Sequence, residues 1–275
     1  MRICAIVDWV NPIFGEALRL LADRGNRVEL LRPEDQAIDL GAVQVEHDLY
    51  VLKSGRDLPF TLAGALHAAG AATLNPYPSV ATMRDKVVAT HVLQTAGVPI
   101  PASYVATDPA ALAPLLAGGP LILKPARGSR GEGIRIVRDS GELEDSPANG
   151  LVLAQRYHEP DGRDHKVFCI GGQFFGVWRP WPLRSYADKF GEPFDLTPEL
   201  LDLGRRCSRA FGTDLFGMDV VLSHGRPYVV DVNHFPGYAG VPDAPRRLAD
   251  YIQAAGQRAV RGEPISTLDS VGASA

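Results

Sequence analysis

The chain has 275 residues, 45% of them hydrophobic and 22% charged, with a formal net charge of -4. Such a mixture excludes disorder of the whole chain and is long enough for two or three cooperating subdomains. Acidic and basic residues are interspersed, which excludes a basic stripe for nucleic acid and a polybasic membrane anchor, so small molecules are the expected partners.

Met1 to Val7 is too short for the apolar region of a signal peptide, and no apolar run reaches the roughly 18 residues of a membrane span. A cytoplasmic location is the expectation. Cys4, Cys169 and Cys207 lie far apart with no paired spacing, which indicates neither a disulfide framework nor a zinc site.

Arg2 to Val7 reads as a strand, Phe14 to Arg24 as a helix closed by Gly25, and Arg27 to Leu31 as a second strand, a βαβ beginning that implies a parallel sheet. The first strand runs into Asp8 to Pro12, at the end where open α/β sheets place ligands. No GxGxxG follows it, which disfavours a nicotinamide site. Asp48 to Leu52 reads as a further strand ending in Lys53, Ser54, Gly55 and Arg56, and Pro59 to Ala69 as a helix. Lys53 and Arg56 are candidate contacts for an anionic substrate, although solvated loop cations are an equal reading. Ser79 is placed as the cap of one helix carrying Val80, Met83, Val87, Val88 and Val92 at helical spacing. Within it sits Arg84-Asp85-Lys86.

Leu121 to Pro125, residues 126–133 and Ile134 to Val137 read as strand, glycine loop, strand. Gly128, Gly131 and Gly133 let backbone N–H groups approach phosphate oxygens, and Arg127 and Arg130 add charge. The Gly-Lys-Ser/Thr ending of a P-loop is missing, and a plain flexible hairpin competes. Lys124 favours the phosphate reading, because a lysine closing an apolar run is costly to bury without an anionic partner.

Leu151 to Gln155 is a buried-looking strand that opens into the polar bend 156–163, like a hinge. Lys166 to Ile170 and Gln173 to Trp178 form a hairpin about Gly171-Gly172, followed by Arg179 and Arg184, a pair suited to a carboxylate or phosphate. Trp178 and Trp181 are read as packing residues. Pro198 to Phe211 and Ala244 to Val260 are helical, and Gly262 to Ala275 reads as a loose tail.

The stretch 217–238 reads as two strands joined by a turn of three residues, Ser223 to Gly225. Alternation puts Asp231 and Asn233 on one face, and that turn length sets Asp219 opposite Val229 and diagonal to Asp231. A slip of one residue would reverse Asp219. Hard oxygen ligands of this kind suit magnesium; from these residues alone an amphipathic hairpin with a wet polar face is equally open.

In their order and spacing these stretches resemble the ATP-grasp superfamily, from about Arg2 to about Val260. The resemblance implies an α/β ATP-grasp fold: an N-terminal Rossmann-like parallel-sheet subdomain over 1–80, a central lid subdomain over 81–156, and a C-terminal antiparallel-sheet catalytic subdomain over 157–262, with a tail at 263–275. It implies that Lys86 and Lys124 contact ATP phosphates and that the loop with Gly128, Ser129, Gly131 and Gly133 closes as a lid. It further implies that Gln155, Arg156 and Tyr157 present backbone groups to adenine, that Asp164 belongs to the nucleotide site, and that Lys166 and Arg179 are catalytic. Asp219, Asp231 and Asn233 would hold two magnesium ions, with manganese as a substitute.

The first half, through Asn75-Pro76, Lys86 and Pro99, looks like RimK-like carboxylate–amine ligases. The C-terminal part, with residues 215–219 and 231–238 and with Lys166-Val167-Phe168 and Arg179-Pro180, is similar to inositol polyphosphate kinases. RimK-like ligases usually carry Glu in place of Asp231 and Arg in place of Lys166, and the Arg-to-Lys change gives up a bidentate fork. The implied function is ATP-dependent ligation of a carboxylate to an amine; a kinase acting on a hydroxyl and a silent nucleotide-binding regulator are the alternatives. Dimers are frequent among such proteins, which makes a homodimer the assembly to test.

Overall fold

The computed structural model describes all residues except Gln36, 129–131, 145–149, 181–184, 186–187, 189 and 267–275. Ser129, Arg130 and Gly131 of the glycine loop, Trp181, Arg184 and Lys189 therefore lie outside the described residues, as does most of the tail.

Strands β1 (Arg2–Val7), β2 (Arg27–Leu31), β3 (Leu49–Lys53) and β4 (Thr73–Leu74) form a parallel sheet in the order β2-β1-β3-β4. β1 and β3 are apolar along nearly their whole length because helices cover both faces. On one side lies α1 (Pro12–Asp23), capped by the Asn11 carboxamide, which accepts from Phe14 N at 2.8 Å. On the other lies α2 (Asp57–Ala68), whose Leu62, Ala63 and Leu66 share a core with Cys4, Ile6, Tyr50 and Leu52.

The expected single helix after Pro76 is two helices, α3 (Tyr77–Arg84) and α4 (Lys86–Thr95). Ser79 lies inside α3 and caps nothing. The break falls at Asp85, whose carboxylate accepts from Val87 N at 3.0 Å and Val88 N at 3.2 Å and so starts α4 afresh.

The second sheet, order β5-β8-β6-β7, joins β5 (Ser103–Ala106), β8 (Val152–Arg156), β6 (Leu121–Pro125) and β7 (Arg135–Val137), all antiparallel. Its core includes Leu121, Leu123, Val137 and Ala154 with Leu112 from the intervening 3-10 segment and Leu143 from the short helix α5 (Gly141–Glu144). The third sheet is also antiparallel, in the order β11 (Glu192–Phe194), β10 (Gln173–Pro180), β9 (Arg163–Ile170), β12 (Leu215–Ser223) and β13 (Arg226–Asn233).

One face of this third sheet, including Val167, Cys169, Phe216, Met218 and Val220, packs on α6 (Pro198–Phe211) and α4. Phe168, Ile170, Val177 and Leu215, on the other face, share a core with the first sheet, α1 and α7 (Ala244–Val260). Asn75, which is 1% exposed, joins the subdomains: its amide donates to Leu215 O at 2.7 Å and to His234 O, and its oxygen accepts from Thr213 Oγ1 at 2.9 Å.

Candidate active site

The β12–β13 hairpin differs from its sequence reading in two ways that cancel. Ser223 pairs with Arg226, so the turn is His224-Gly225 alone, with φ of 50° and 72°, the left-handed pair that a two-residue hairpin loop requires. Continued without a break, that register would set Asp219 against Val230 and point it away from Asp231. A β-bulge between Asp219 and Val220 absorbs one residue of β13, after which Asp219 lies directly opposite Asp231, Met218 opposite Val232, and Gly217 opposite Asn233. The expected convergence is present; the turn length and the pairing of Asp219 with Val229 are corrected.

Register carries the same face across the sheet. Asp219 pairs with Lys166 on β9, and Asp164 pairs with Arg179 on β10. Asp164, Lys166, Arg179, Asp219, Asp231 and Asn233 thus occupy one face, beyond its apolar half. Lys166 Nζ donates to Asp219 Oδ2 at 2.5 Å and Asp164 Oδ2 at 3.1 Å. Burial works against the charge of Lys166, but Asp219 and Asp164 outweigh it and raise its pKa. Asp231 and Asp164 are both pushed up, chiefly by burial and also by Asp219. Arg179 is pulled down by burial against the pull of Asp219 and Asp164. Among the described residues the Arg179 guanidinium forms no ion pair, and its Nε is buried without a hydrogen-bond partner.

The facing wall comes from the second sheet. Lys124, 5% exposed, donates from Nζ to Gln155 Oε1 and to Val230 O, each at 2.8 Å. Val230 is the residue at the bulge, so the irregularity that aligns the two aspartates also supplies a carbonyl for the lysine. Gln155 Nε2 in turn donates to Ser103 Oγ at 3.0 Å. Burial lowers the Lys124 pKa, with Asp231 and Asp219 pulling the other way. Lys86, the first residue of α4, donates to Gly128 O at 2.6 Å and ties that helix to the start of the glycine loop. Lys86, Gln155 and Asp231 all line one small pocket between the two walls.

At the hinge, Arg156 N donates to Ala102 O at 2.8 Å and Tyr157 N to Pro120 O at 3.0 Å, while the Arg156 guanidinium holds Leu115 O at 2.9 Å and Gly119 O. The backbone groups expected to meet adenine are therefore in part committed to the protein itself. Lys53 and Arg56 lie on the N-terminal side of the cleft. Lys53 Nζ donates to Phe235 O and Pro236 O, both at 3.2 Å. Arg56 stands 3.9 Å from Asp8 and 3.5 Å from Glu34. Gly217 permits the close approach of this segment, because a Cβ there would lie 2.9 Å from Pro236 Cγ.

No group of three or more His, Cys, Asp or Glu residues among those described is placed to hold a metal. Two opposed carboxylates with an amide oxygen fit a magnesium site that draws its remaining ligands from water and phosphate. Sequence reasoning missed the Ser103-Gln155-Lys124 chain and the Val230 carbonyl. The one available signal was a second polar residue, Gln155, closing a second apolar strand.

Residues 83–259 match the RimK-like ATP-grasp domain, well over half of the 275-residue chain. The chain belongs to the RimK-like ATP-grasp family. A probable alpha-L-glutamate ligase from Shewanella amazonensis is 27% identical over 214 residues, 72% of this chain and 71% of that protein. A RimK domain ATP-grasp protein from Sphaerobacter thermophilus superimposes with a TM-score of 0.74 at 20% identity, over 92% of this chain and all of that one. D-cycloserine synthetase does so with a TM-score of 0.71 at 19% identity, over 94% of this chain and all of that one. RimK-like membership makes the chain an ATP-using enzyme of the ligase class. The likeness of residues 215–219 and 231–238 to inositol polyphosphate kinases is not shown by these relatives.

Proposed function

We propose that the chain joins a small carboxylate to an amine by way of an acyl phosphate, with ATP as phosphoryl donor. The observation that carries this reading is the polar half of the third sheet, where Arg179 has no ion-pair partner among the described residues and stands beside two opposed aspartates. Lys86 and Lys124 bring further positive charge from the facing wall. A guanidinium whose Nε is buried without a partner is costly unless an anion joins it, and a transferring phosphoryl group or the acyl phosphate is such an anion.

Asp219, Asp231 and Asn233 are the residues that would hold magnesium. When bound, the ions supply neutralisation of phosphate charge. Burial raises the Asp231 pKa while Lys86, Lys124 and Lys166 lower it, so a cation held there would further favour its charged form. Lys124, fixed by Gln155 and Val230 O, has its ammonium held in place for a phosphate oxygen. Lys86, held at Gly128 O, sets the base of the loop above it. Lys166 holds the Asp219 and Asp164 carboxylates in place by direct hydrogen bonds. Positioning of this kind provides most of the catalysis in phosphoryl transfer.

Lys53 is engaged by main-chain carbonyls and Arg56 by two carboxylates, so the cations free for a highly phosphorylated ring are few among the described residues. This favours a carboxylate over a phosphorylated alcohol.

The test is product analysis by phosphorus NMR with ATP, magnesium and a panel of carboxylates and amines. The ligase reading requires substrate-dependent ADP with stoichiometric free phosphate. ADP with a new phosphate ester and no free phosphate would replace it with a kinase.

A further inference from the structure

Lys53 is the last residue of β3 and leaves the sheet at the edge where β1 ends before Asp8. Its Nζ meets Phe235 O and Pro236 O at 3.2 Å each and stands 5.8 Å from the ring centroid of Phe14 and 4.7 Å from that of Phe235. Phe235, one of the two residues that hold the amine, lies two residues beyond Asn233, so at roughly 3.6 Å per residue it is within about 7 Å of chain from the catalytic face. A lysine nitrogen has three positions besides its carbon. Two are fixed by N–H bonds to carbonyls, and the third carries either a proton or a lone pair.

We propose that Lys53 is the proton acceptor for the attacking amine, an assignment that rests on the ligase reading. A substrate ammonium passes one proton to the Lys53 lone pair. The freed nitrogen pair then forms the C–N bond at the acyl carbon as the C–O bond to the phosphoryl group breaks. Phosphate leaves with that electron pair and takes the second proton of the adduct, and Lys53 returns its own to water.

The surroundings suit this task. Burial pushes the Lys53 pKa down to about 8, with Asp8, from the end of β1, pulling the other way. Arg56, on the loop that follows Lys53, shares Asp8 at 3.9 Å. From the segment after β13, His234 is held neutral, burial and the charges of Arg84 and Lys53 driving its pKa to about 3. α1 contributes the Phe14 ring at this position. A lysine left in water near pH 7.5 would be almost wholly protonated, whereas one near 8 keeps a working fraction of free amine.

Hydroxylamine tests the assignment, since it is already uncharged at neutral pH and needs no proton acceptor to attack an acyl phosphate. Wild type, Lys53→Met and Lys53→Arg are assayed with ATP, magnesium and a carboxylate panel, reading the ferric hydroxamate colour. The productive carboxylate is then paired with the twenty amino acids as amines, reading amide.

In Lys53→Met the amide rate at pH 7.5 should fall at least a hundredfold further than the hydroxamate rate. Arginine should not restore it, because it does not deprotonate. The wild-type amide rate should climb through about pH 8, and that limb should move to the amine's own pKa in the variant. Equal losses in both assays, or rescue by arginine, would show that Lys53 only ties β3 to the 235–236 segment and would overturn the proposal. No hydroxamate from wild type with any carboxylate would overturn the ligase reading itself, and the assignment with it.

Discussion

Asp231 illustrates at the residue scale how a site is built at the expense of stability. Its carboxylate is pushed up by burial and then by Asp219, although Lys86, Lys124 and Lys166 pull it down. A folded-state pKa above the unfolded value means that the charged form destabilises the fold at neutral pH, an effect relieved as pH falls through the folded pKa. Asp231→Asn should therefore raise the melting temperature of the metal-free protein at pH 7, roughly 2–4 °C for each kcal/mol relieved, with the gain shrinking as pH falls through the raised pKa and gone below about pH 4. The same variant should lose turnover. A melting temperature at or below wild type would show that the carboxylate is compensated in the free enzyme. Asp231, Asn233 and Lys124 were legible from sequence because polar residues interrupted apolar alternation. The bulge at Val230 was not, since pairing a two-residue turn with one extra residue produces the same facing of Asp219 as a three-residue turn without a bulge.

At the scale of elements, local chemistry decides boundaries. Helix α6 was read at its observed bounds because Thr197 caps one end, its hydroxyl accepting from Leu200 N at 3.2 Å, and Gly212 closes the other at φ 61°. The α3–α4 break was missed because the valine spacing runs across it and only the Asp85 carboxylate marks it. Asp85→Ala should destabilise the protein by about 1 kcal/mol, the usual loss for a cap, and raise the KM for ATP, because Lys86 is the next residue. Urea titration and steady-state kinetics check both; an unchanged KM would show that α4 is held in place without its cap. The strand β5 escaped notice because its partly exposed residues show no alternation and Pro99 and Pro101 precede it.

Across the whole molecule, chain order and packing diverge. The last helix follows the catalytic strands in sequence, yet Leu248, Ala249, Ile252 and Ala255 share a core with Ile3, Ala5 and Phe14 of the first subdomain. Sequence reading gives that helix its bounds but no partner, since its apolar face fits any cover. Asn75 is the polar counterpart of this closure. Asn75→Ala would strip hydrogen bonds from Leu215 O, His234 O and the Thr213 hydroxyl at once and should cost about 3 kcal/mol, read as a lower urea midpoint. A loss below about 1 kcal/mol would mean that the subdomain contact is set by the apolar core alone. No helix among the described residues is long and apolar enough to cross a membrane.

The central claim is that Arg179 and the opposed aspartates serve an acyl phosphate. The most direct measurement follows oxygen. With the productive carboxylate labelled with oxygen-18, phosphorus NMR of the released phosphate should show one labelled oxygen per turnover, carried over when the carboxylate oxygen is phosphorylated and later expelled. Released phosphate without label, alongside amide formation, would contradict the account.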